Sequence, residues 1–391
     1  MLKQQIPLDG HDVPYMCGID CADTVAELVA ASAGAADSVL FVMDGAVASH
    51  AAPVISRLSE HLRTETVQVV ATESNKTLSL VGDIAEFAVS RGVTRGSVVV
   101  GMGGGMVGNV AGLTAALLFR GTRLIHLPTT PVAAFDSVVS VKQAVNLRGG
   151  KNLSGTYYAP SLIACDLRWL ETVPPEQLRT GLSEMVKNVL AVIPEQWDTL
   201  MHALAAVSEG RTTEALPHLF DIGVTAKVPF LGRDPRERKE ALVFEYGHTM
   251  GHALELASRG AMKHGEAVAW GMLVAAEVSH RLGFLTGEDL RSHYRIIDRL
   301  ELPPARARIG AIDPMALEAL LSTDNKRGYL RCADDEVAMV LLQSLGNPLV
   351  TGGSGYPLVP VRRGTLMSAL HTVTEHIPEE RSARWKKSSL S

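Results

Sequence analysis

The sequence has few cysteines and few aromatic residues. Its four cysteines, Cys17, Cys21, Cys165 and Cys332, form no C-x-x-C pair, so the spacing predicts neither a disulfide framework nor a zinc knuckle. Aromatic residues make up 5% of the 391 positions, whereas alanine, valine and leucine are abundant. This composition is typical of helices packed on a parallel sheet, and the length predicts two domains.

The sequence also lacks long apolar runs and an excess of positive charge. No uninterrupted apolar stretch reaches the roughly 20 residues of a membrane span, and the first residues contain no apolar signal segment. The formal net charge of −5 gives no reason to expect nucleic acid as a partner. We therefore expect a cytoplasmic protein that binds neither membranes nor nucleic acid.

The first half of the chain alternates short β-branched runs with helical segments. The runs at 39–43, 66–70, 97–100 and 123–127 predict parallel strands covered on both faces. After Pro174 the pattern becomes helical, over 175–192, 212–230, 241–257, 266–282, 286–299 and 314–322. We predict an α/β nucleotide-binding domain with a parallel sheet over 1–172, a mainly α-helical domain over 173–377 and a frayed, disordered tail over 378–391.

A glycine loop follows the strand predicted at 97–100, the third in our count. Gly103, Gly105 and Gly108 match G-x-G-x-x-G, and the absence of side chains allows backbone N–H groups to approach a pyrophosphate. The acidic residue expected about 20 positions later is missing, although Asp44 ends the first predicted strand and could accept a hydrogen bond from a ribose hydroxyl. The pattern favours a dinucleotide site of unusual topology; the alternative is a tight structural turn.

A histidine-rich segment predicts a metal site. His248 and His252 are four residues apart, so a helix presents both imidazoles on one face, and His264 begins the next segment. Glu184, on a separate apolar helix, offers a carboxylate. The candidate ligands are Glu184, two of the three histidines and substrate oxygens, as in an open zinc or cobalt site. The alternative is that these histidines belong to the core or the surface.

Several lysines lie in segments that do not have the pattern of a solvated helix face. Lys142 and Lys151 are surrounded by glycine and small polar residues, and Lys187 follows Glu184 by one helical turn. We interpret these three as anion ligands near the metal site. Lys227 and Lys326 are weaker candidates, for which a solvated surface position remains the alternative.

Short motifs occur along the chain in a fixed order. They are G-G-G-x-x-G-N from Gly103, P-T-T-x-x-A-x-x-D-S from Pro128, K-x-x-x-N-x-x-x-x-K-N from Lys142, S-E-M-V-K from Ser183, and E-Y-G-H-T-M-G-H from Glu245 with a later H-G-E. As an ordered set they resemble the dehydroquinate synthase-like sugar phosphate cyclases over residues 38–345. The resemblance implies an NAD-binding α/β domain, a helical domain, a divalent metal ion (cobalt or zinc) and a homodimer.

The resemblance also implies roles for individual residues. The metal ligands would be Glu184, His248 and His264, leaving His252 as a polar group of the active site. The implied contacts to NAD come from Asp44, Glu73, Lys76, Gly104, Gly105, Met106, Val107, Gly108, Asn109, Thr129, Thr130, Ser140, Val141, Lys142, Lys151 and Asn152. The implied contacts to substrate come from Arg120 (across the dimer), Asp136, Lys142, Lys151, Asn152, Lys187, Lys227, Glu245, His252 and Lys326. Among these, Lys142, Lys187, Glu245 and His252 are the expected catalytic residues.

Two positions depart from the dehydroquinate synthase pattern and bear on the substrate. Glu245 stands where those enzymes carry an asparagine, and Ala241 stands where they carry an arginine associated with the substrate carboxylate. A methyl group cannot replace a bidentate arginine. The departures therefore disfavour a carboxylate substrate. The segments 142–147, 244–248 and 324–329 resemble a branch of the family that acts on D-glucose 6-phosphate, and this resemblance implies the same substrate here.

The implied reaction uses NAD+ without net redox change. It consists of oxidation at C4, elimination of the C6 phosphate, return of the hydride and aldol closure to a carbocycle, as at the start of aminoglycoside antibiotic biosynthesis. The alternatives are a dehydroquinate synthase or another sugar phosphate cyclase and, from another class, an NAD-dependent polyol dehydrogenase. Phosphate release tested with glucose 6-phosphate and with a heptulosonate phosphate separates the implied reaction from those of the rival cyclases, and net NADH formation identifies the dehydrogenase.

Overall fold

The computed structural model describes residues 2–148, 150–322, 324, 326–351 and 355–376. The chain forms two compact units. The first contains Met1–Pro174 and Gly223–Arg236, and the second contains Pro175–Ile222 and the chain from Glu237 onward. The predicted tail at 378–391 lies outside the described residues. Among the helices that are described, none has the combined length and apolar composition required to cross a membrane.

The first unit is an α/β structure. Its strands are β1 Leu2–Leu8, β2 His11–Gly18, β3 Ser38–Asp44, β4 Arg63–Val69, β5 Val98–Gly103, β6 Arg123–Pro128, β7 Lys142–Leu147, β8 Gly150–Tyr157 and β9 Leu162–Asp166. Its complete helices are α1 Ala22–Ala33, α2 Ala48–Ser59, α3 Leu78–Ser90 and α4 Gly105–Leu117. Shorter 3-10 turns occupy Gly45–Val47, Glu73–Asn75, Leu118–Arg120 and Leu167–Thr172, and a π-helical turn occupies Ala133–Ser137.

The main sheet has seven strands in the order β1-β2-β9-β6-β5-β3-β4. All neighbouring pairs are parallel except the hairpin β1–β2. The residues Val98–Gly103 of β5 are buried throughout, which explains their continuous apolar pattern. The parallel α/β prediction is confirmed. The hairpin was not predicted, and it makes the strand before the glycine loop the fifth along the chain rather than the third.

A separate antiparallel hairpin, β7–β8, carries several of the predicted site residues. It pairs Lys142 with Tyr157 and has an irregular register near its turn. Asn146 also donates its backbone N–H to the carbonyl of Lys76 over 2.8 Å, which ties the hairpin to the turn before α3. The hairpin thereby brings two distant segments of the first unit together.

The second unit is mainly helical, as predicted. Its helices are α5 Pro175–Gly181, α6 Ser183–Ala191, α7 Trp197–Ser208, α9 His248–Ala257, α10 His264–Arg281, α11 Gly287–Asp298, α12 Ala305–Ile309, α13 Pro314–Leu321 and α14 Arg363–His376. Between α7 and α9 lies α8, Thr212–Leu231, whose residues are divided between the two units. Short turns occupy Pro194–Gln196 and Glu240–Glu245, and the short strands are β10 Glu336–Met339, β11 Leu342–Ser344, β12 Asn347–Pro348 and β13 Val359–Arg362.

Several boundaries differ from the prediction. The helix predicted over 175–192 is two helices, because the chain breaks at Leu182, and α7 was not predicted. The segment 223–236 belongs to the first unit, although the sequence prediction assigned it to the second domain. Its packing explains this difference: a β-carbon on Gly223 would lie 2.6 Å from the carbonyl oxygen of Phe135, so only glycine allows the helix to approach so closely.

Candidate active site

Three side chains of the second unit converge on one point. Glu184 lies on α6 and is 1% exposed. Its Oε1 is 3.6 Å from Nε2 of His248, at the start of α9, and 3.4 Å from Nε2 of His264, at the start of α10. The three ligand atoms all lie within 4.8 Å of one another. One carboxylate and two imidazoles around an open point form the type of donor set that binds zinc or cobalt.

The surroundings orient both imidazoles toward that point. Nδ1 of His248 lies 3.1 Å from the carbonyl oxygen of Tyr246, and Nδ1 of His264 lies 3.1 Å from Oε2 of Glu255. When each Nδ1 donates to its oxygen, each Nε2 faces Glu184 and can bind a metal ion once it is deprotonated, the usual arrangement of metal-binding histidines. Oε1 of Glu184 is buried and has no hydrogen-bond partner among the described residues. A divalent cation fits this set because it would supply the partner that the buried oxygen needs.

The third histidine stands beside the cluster. The ring of His252 is 5.2 Å from that of His248 and 5.9 Å from that of His264, measured between centroids. It does not belong to the converging set of ligand atoms. Tertiary structure thus brings His248 and His264, rather than His252, to the Glu184 carboxylate. Burial lowers the pKa of His252 well below its ordinary value, so its imidazole is neutral.

The charges in this cluster favour an ionised carboxylate. Burial alone would raise the pKa of Glu184, but the Lys187 ammonium and the two imidazoles outweigh it and hold the pKa well below its usual range. Burial lowers the pKa of His248 to about 4. Burial also acts to lower the pKa of His264, but the nearby carboxylates of Glu184 and Glu255 outweigh it and raise the pKa to about 10. A cation would displace the proton on His264, so we expect metal binding to release protons.

Lys187 is directly paired with the Glu184 carboxylate. Its Nζ forms an ion pair with Oε2 of Glu184, and both side chains are buried. The ammonium also lies 5.6 Å from the centroid of the Phe244 ring. The predicted proximity of Lys187 and Glu184 on one helix face is confirmed. This contact makes Lys187 a partner of the Glu184 carboxylate as well as a candidate for contact with substrate.

A second charged cluster includes Glu245, the residue that departs from the dehydroquinate synthase pattern. Nζ of Lys326 lies 3.3 Å from Oε2 of Glu245 and 2.9 Å from Oδ1 of Asp324. Lys326 is 1% exposed. Burial acts to lower the pKa of Lys326, but the carboxylates of Glu245 and Asp324 outweigh it and raise the pKa. Asp324 was not predicted as a site residue, although its position two residues before Lys326 was a possible signal.

Predicted NAD and substrate residues of the first unit form another polar network. Asn146 donates from Nδ2 to Oε1 of Glu73 over 2.7 Å, and Lys76 donates to Oδ1 of Asn152 over 2.5 Å. Nζ of Lys151 lies 3.6 Å from Oε1 of Glu73. For four of these five residues, Glu73, Lys76, Lys151 and Asn152, the family resemblance implies ligand contacts. The role of Asn146 in joining them was not predicted.

The glycine loop has the predicted order of strand, loop and helix. Gly104 separates β5 from α4, whose first residue is Gly105. A β-carbon on Gly104 would lie 3.2 Å from Cγ2 of Thr130, and one on Gly105 would lie 3.2 Å from Oγ of Ser137. The loop therefore packs closely against the segment after β6, and the first N–H groups of α4, which have no acceptor within the helix, can bind an anion. This arrangement is consistent with the predicted dinucleotide site.

Several predicted ligand residues also have internal partners. Asn109 donates to the carbonyl of Gly105 over 2.8 Å and accepts from the N–H of Ala144 over 2.9 Å, so its amide joins α4 to β7. The Asp44 carboxylate accepts from the N–H of Ala46 over 3.0 Å. Lys227 pairs with Asp136 over 2.8 Å.

The remaining predicted residues of the first unit differ in exposure. Met106, Gly108 and Thr130 are half-buried. The buried residues are Val107, Thr129, Ser140 and Val141. Ser140 accepts from the backbone N–H of Lys142 over 3.1 Å. Arg120 is exposed, and its backbone has a φ of 65°, in the left-handed region that non-glycine residues seldom adopt.

Glu255 is the clearest functional residue that sequence reasoning missed. It is 9% exposed and contacts His264 through its carboxylate. Its spacing contained a signal, because it lies seven residues after His248 and three after His252, on the same face of one helix.

Two family descriptions match adjacent parts of the chain. The description 3-dehydroquinate synthase N-terminal matches residues 66–180, and 3-dehydroquinate synthase C-terminal matches residues 181–327. Together they cover more than half of the sequence, including every ligand atom of the converging set. The match agrees with the resemblance indicated by the motifs.

Individual relatives match over nearly the whole chain. The chain is 44% identical to the 2-deoxy-scyllo-inosose synthase of Streptomyces lividus, across 91% of this chain and 91% of that protein. It is 42% identical to the 2-deoxy-scyllo-inosose synthase of Streptomyces fradiae, across 98% of this chain and 86% of that protein. A crystal structure of 2-deoxy-scyllo-inosose synthase complexed with carbaglucose-6-phosphate, NAD+ and Co2+ matches with a TM-score of 0.84 and 33% identity, across 96% of this chain and 100% of that one.

Proposed function

Because the chain belongs to the 3-dehydroquinate synthase family, we propose that it converts D-glucose 6-phosphate to 2-deoxy-scyllo-inosose and inorganic phosphate. It is a metal- and NAD-dependent sugar phosphate cyclase and a carbon–oxygen lyase. The relatives named 2-deoxy-scyllo-inosose synthase support this assignment. We place the reaction in aminoglycoside antibiotic biosynthesis.

The observation that carries the proposal is the convergence of Glu184, His248 and His264. Their ligand atoms lie within 4.8 Å of one another around a buried oxygen that has no hydrogen-bond partner among the described residues. When bound, NAD+ would accept and return a hydride, and the divalent cation, cobalt or zinc, would polarise sugar hydroxyls. The chain itself holds Glu184 ionised through Lys187.

The substrate assignment rests on the turn that precedes the first metal-binding histidine. Ala241 is fully buried and offers only a methyl group where a carboxylate substrate would require an arginine. Glu245 ends the same turn with a carboxylate that is 17% exposed. An acid at this position would repel a carboxylate substrate but can exchange protons with a hexose. These two residues support a hexose phosphate over a heptulosonate phosphate.

The remaining site residues have proposed roles that follow the chemistry of their side chains. Elimination needs a proton to be removed at C5 of the sugar, and closure needs proton transfer at the new hydroxyl. We assign these proton transfers to Lys142 and Glu245, with Lys187 and His252 as further catalytic groups. Candidates for holding the phosphate and hydroxyls are Arg120, Asp136, Lys151, Asn152 and Lys227.

The first unit supplies the proposed NAD site. The glycine loop would contact the pyrophosphate through its backbone, and the Glu73–Lys76–Asn152 network offers groups that can bind ribose hydroxyls. The proposed contacts are Asp44, Glu73, Lys76, Gly104, Gly105, Met106, Val107, Gly108, Asn109, Thr129, Thr130, Ser140, Val141, Lys142, Lys151 and Asn152. We also propose a cytoplasmic homodimer; light scattering on the purified protein would measure its mass.

A turnover assay tests the function. Purified enzyme with NAD+ and Co2+ should release inorganic phosphate from D-glucose 6-phosphate, form a carbocyclic ketone detectable by mass spectrometry, and show no net rise in NADH absorbance. Glu184→Gln should abolish release, whereas Glu288→Gln, which changes an exposed acid on α11, should not. Phosphate release only from a heptulosonate phosphate would indicate a dehydroquinate synthase. Stoichiometric NADH would indicate a polyol dehydrogenase.

A further inference from the structure

Tyr246 stands two residues before the proposed metal ligand His248 and has a buried hydroxyl group. The residue is fully buried, and its hydroxyl oxygen lies 2.8 Å from Nε2 of His293 on α11. The carbonyl oxygen of Met272 on α10 is farther from the hydroxyl, at 3.5 Å. His293 is also fully buried. Two enclosed polar side chains therefore satisfy each other across a long stretch of sequence, and we call them the Tyr246–His293 pair.

The direction of this hydrogen bond follows from the other ring nitrogen of His293. Nδ1 of His293 lies 2.8 Å from the carbonyl oxygen of Asp289, one helical turn earlier on α11. A carbonyl oxygen only accepts, so Nδ1 carries the hydrogen of a neutral ring and Nε2 is left as an acceptor. Burial lowers the pKa of His293 to about 4, which keeps the ring neutral. Tyr246 therefore donates its hydroxyl hydrogen to His293.

The backbone of Tyr246 contacts the proposed metal ligand. Its carbonyl oxygen lies 3.1 Å from Nδ1 of His248, and Nε2 of the same ring lies 3.6 Å from Oε1 of Glu184. A hydrogen bond to the second nitrogen fixes the orientation of a metal-binding imidazole. Tyr246 is thus held by α11 through its side chain, and it orients His248 through its main chain.

The direction of that carbonyl group depends on the peptide between Tyr246 and Gly247. Tyr246 has φ −58° and ψ 128°, and Gly247 has φ 79° and ψ −19°. These are the angles of the two central residues of a type II turn. A flip of the peptide to the type I arrangement, which glycine also permits, would point the carbonyl oxygen away from His248. Contacts outside the turn are therefore needed to select the observed arrangement.

We propose that the Tyr246–His293 pair is a positioning contact for the metal ligand His248. The hydrogen bond fixes Tyr246 against α11, and Tyr246 in turn keeps its carbonyl oxygen on Nδ1 of His248, with Nε2 toward Glu184. The inference rests on the proposed function, because that function requires a metal ion at Glu184, His248 and His264. Loss of this hydrogen bond should weaken metal binding although every ligand remains.

The test is a Co2+ titration of the metal-free enzyme, followed by the visible absorption of the bound ion in competition with a chelator. Tyr246→Phe keeps the ring and removes only the hydroxyl, and His293→Leu removes the acceptor. We expect each change to alter the visible band and to raise the Co2+ dissociation constant by about 3–10-fold, less than the roughly 10–100-fold loss for a direct partner of a ligand.

Two further variants test whether the hydrogen bond itself is responsible. His293→Gln keeps an acceptor and should bind Co2+ within about twofold of wild type. The double variant Tyr246→Phe/His293→Leu should lose no more affinity than the weaker of the two single variants, because both changes remove the same hydrogen bond.

Tyr294→Phe is the matched control. Tyr294 lies next to His293 on α11, and its hydroxyl donates to Oε1 of Glu277 over 2.8 Å. The control therefore removes a hydrogen-bonded tyrosine hydroxyl at the same helix without changing the turn before His248. Thermal unfolding without metal should show a loss of stability in both tyrosine variants, whereas only Tyr246→Phe should change the Co2+ affinity and the visible band.

Two results would overturn the inference. One is a Tyr246→Phe variant with the Co2+ affinity and visible band of wild type, and the other is an equal loss of affinity in Tyr294→Phe, which would indicate general destabilisation. If His293→Leu does not fold, Tyr246→Phe and its control provide the decisive comparison. Wild-type Co2+ affinity in Glu184→Gln contradicts the metal site and the proposed function with it, whereas wild-type affinity in Tyr246→Phe contradicts only this inference.

Discussion

Replacement of Glu255 by glutamine should weaken metal binding without removing a metal ligand. The carboxylate of Glu255 lies 3.1 Å from Nδ1 of His264 and is 10% exposed, so solvent screens the contact little. It holds the imidazole with Nε2 directed at Glu184. Glutamine preserves the size of the side chain and an acceptor oxygen but removes the charge. The change therefore isolates the electrostatic part of the contact.

The expected magnitude follows from the type of hydrogen bond. A hydrogen bond to a charged group contributes about 1.5–3 kcal/mol, and one between neutral groups contributes about 0.5–1.5 kcal/mol. The difference of about 1–1.5 kcal/mol corresponds to roughly a tenfold weaker affinity for Co2+. This value lies at the lower end of the roughly 10–100-fold losses seen when residues behind a metal ligand are changed. Glu255→Ala, which also removes the acceptor, should lose more.

The assay is a Co2+ titration of the metal-free enzyme, followed by the visible absorption of the bound ion and repeated in competition with a chelator. Glu288→Gln, on the exposed face of α11, is the matched control. Thermal unfolding without metal separates a local effect from a general loss of stability. If Glu255→Gln binds Co2+ within about twofold of wild type, the carboxylate does not tune His264, and the reasoning from its geometry is refuted.

Three further outcomes are expected. Glu245→Gln should lower kcat by roughly 100-fold or more with a much smaller change in KM. A near wild-type kcat would show that Glu245 does not transfer the proton and would assign this role to Lys142 or His252. His264→Ala should abolish turnover while NAD+ binding, measured by fluorescence titration, persists; activity of the wild type in metal-free buffer would contradict the metal assignment. Acid should destabilise the fold, because burial lowers the pKa of both His126 and His293 to about 4. Between about pH 6.5 and 4 the unfolded chain binds more protons than the folded one, so urea unfolding should show stability falling by up to about 1.4 kcal/mol per pH unit for each histidine, and a flat profile would exclude this linkage.

The sequence alone was sufficient where the determining interactions are local. The sequence identified the apolar runs of β3, β5 and β6, because a strand that is buried on both faces requires apolar residues. It also identified the loop before α4, because close approach of the backbone requires glycine. The edge hairpin β1–β2 was missed because the residues of β1 from Leu2 to Gln5 are exposed and lack an apolar pattern. Its pairing depends on a neighbouring strand rather than on its own composition.

The site required tertiary structure for its assembly. Helical spacing placed His248 and His252 on one face, yet only the packing of α6, α9 and α10 brings His248 and His264, rather than His252, to Glu184. The contacts of Glu255 with His264 and of Asp324 with Lys326 were also missed, because no motif contains both partners of the first pair and the second was not distinguished from a surface loop. Residue types and periodicity determine which elements form and which side chains can do chemistry. The distances between those side chains depend on contacts between segments far apart in the chain, which no local pattern contains.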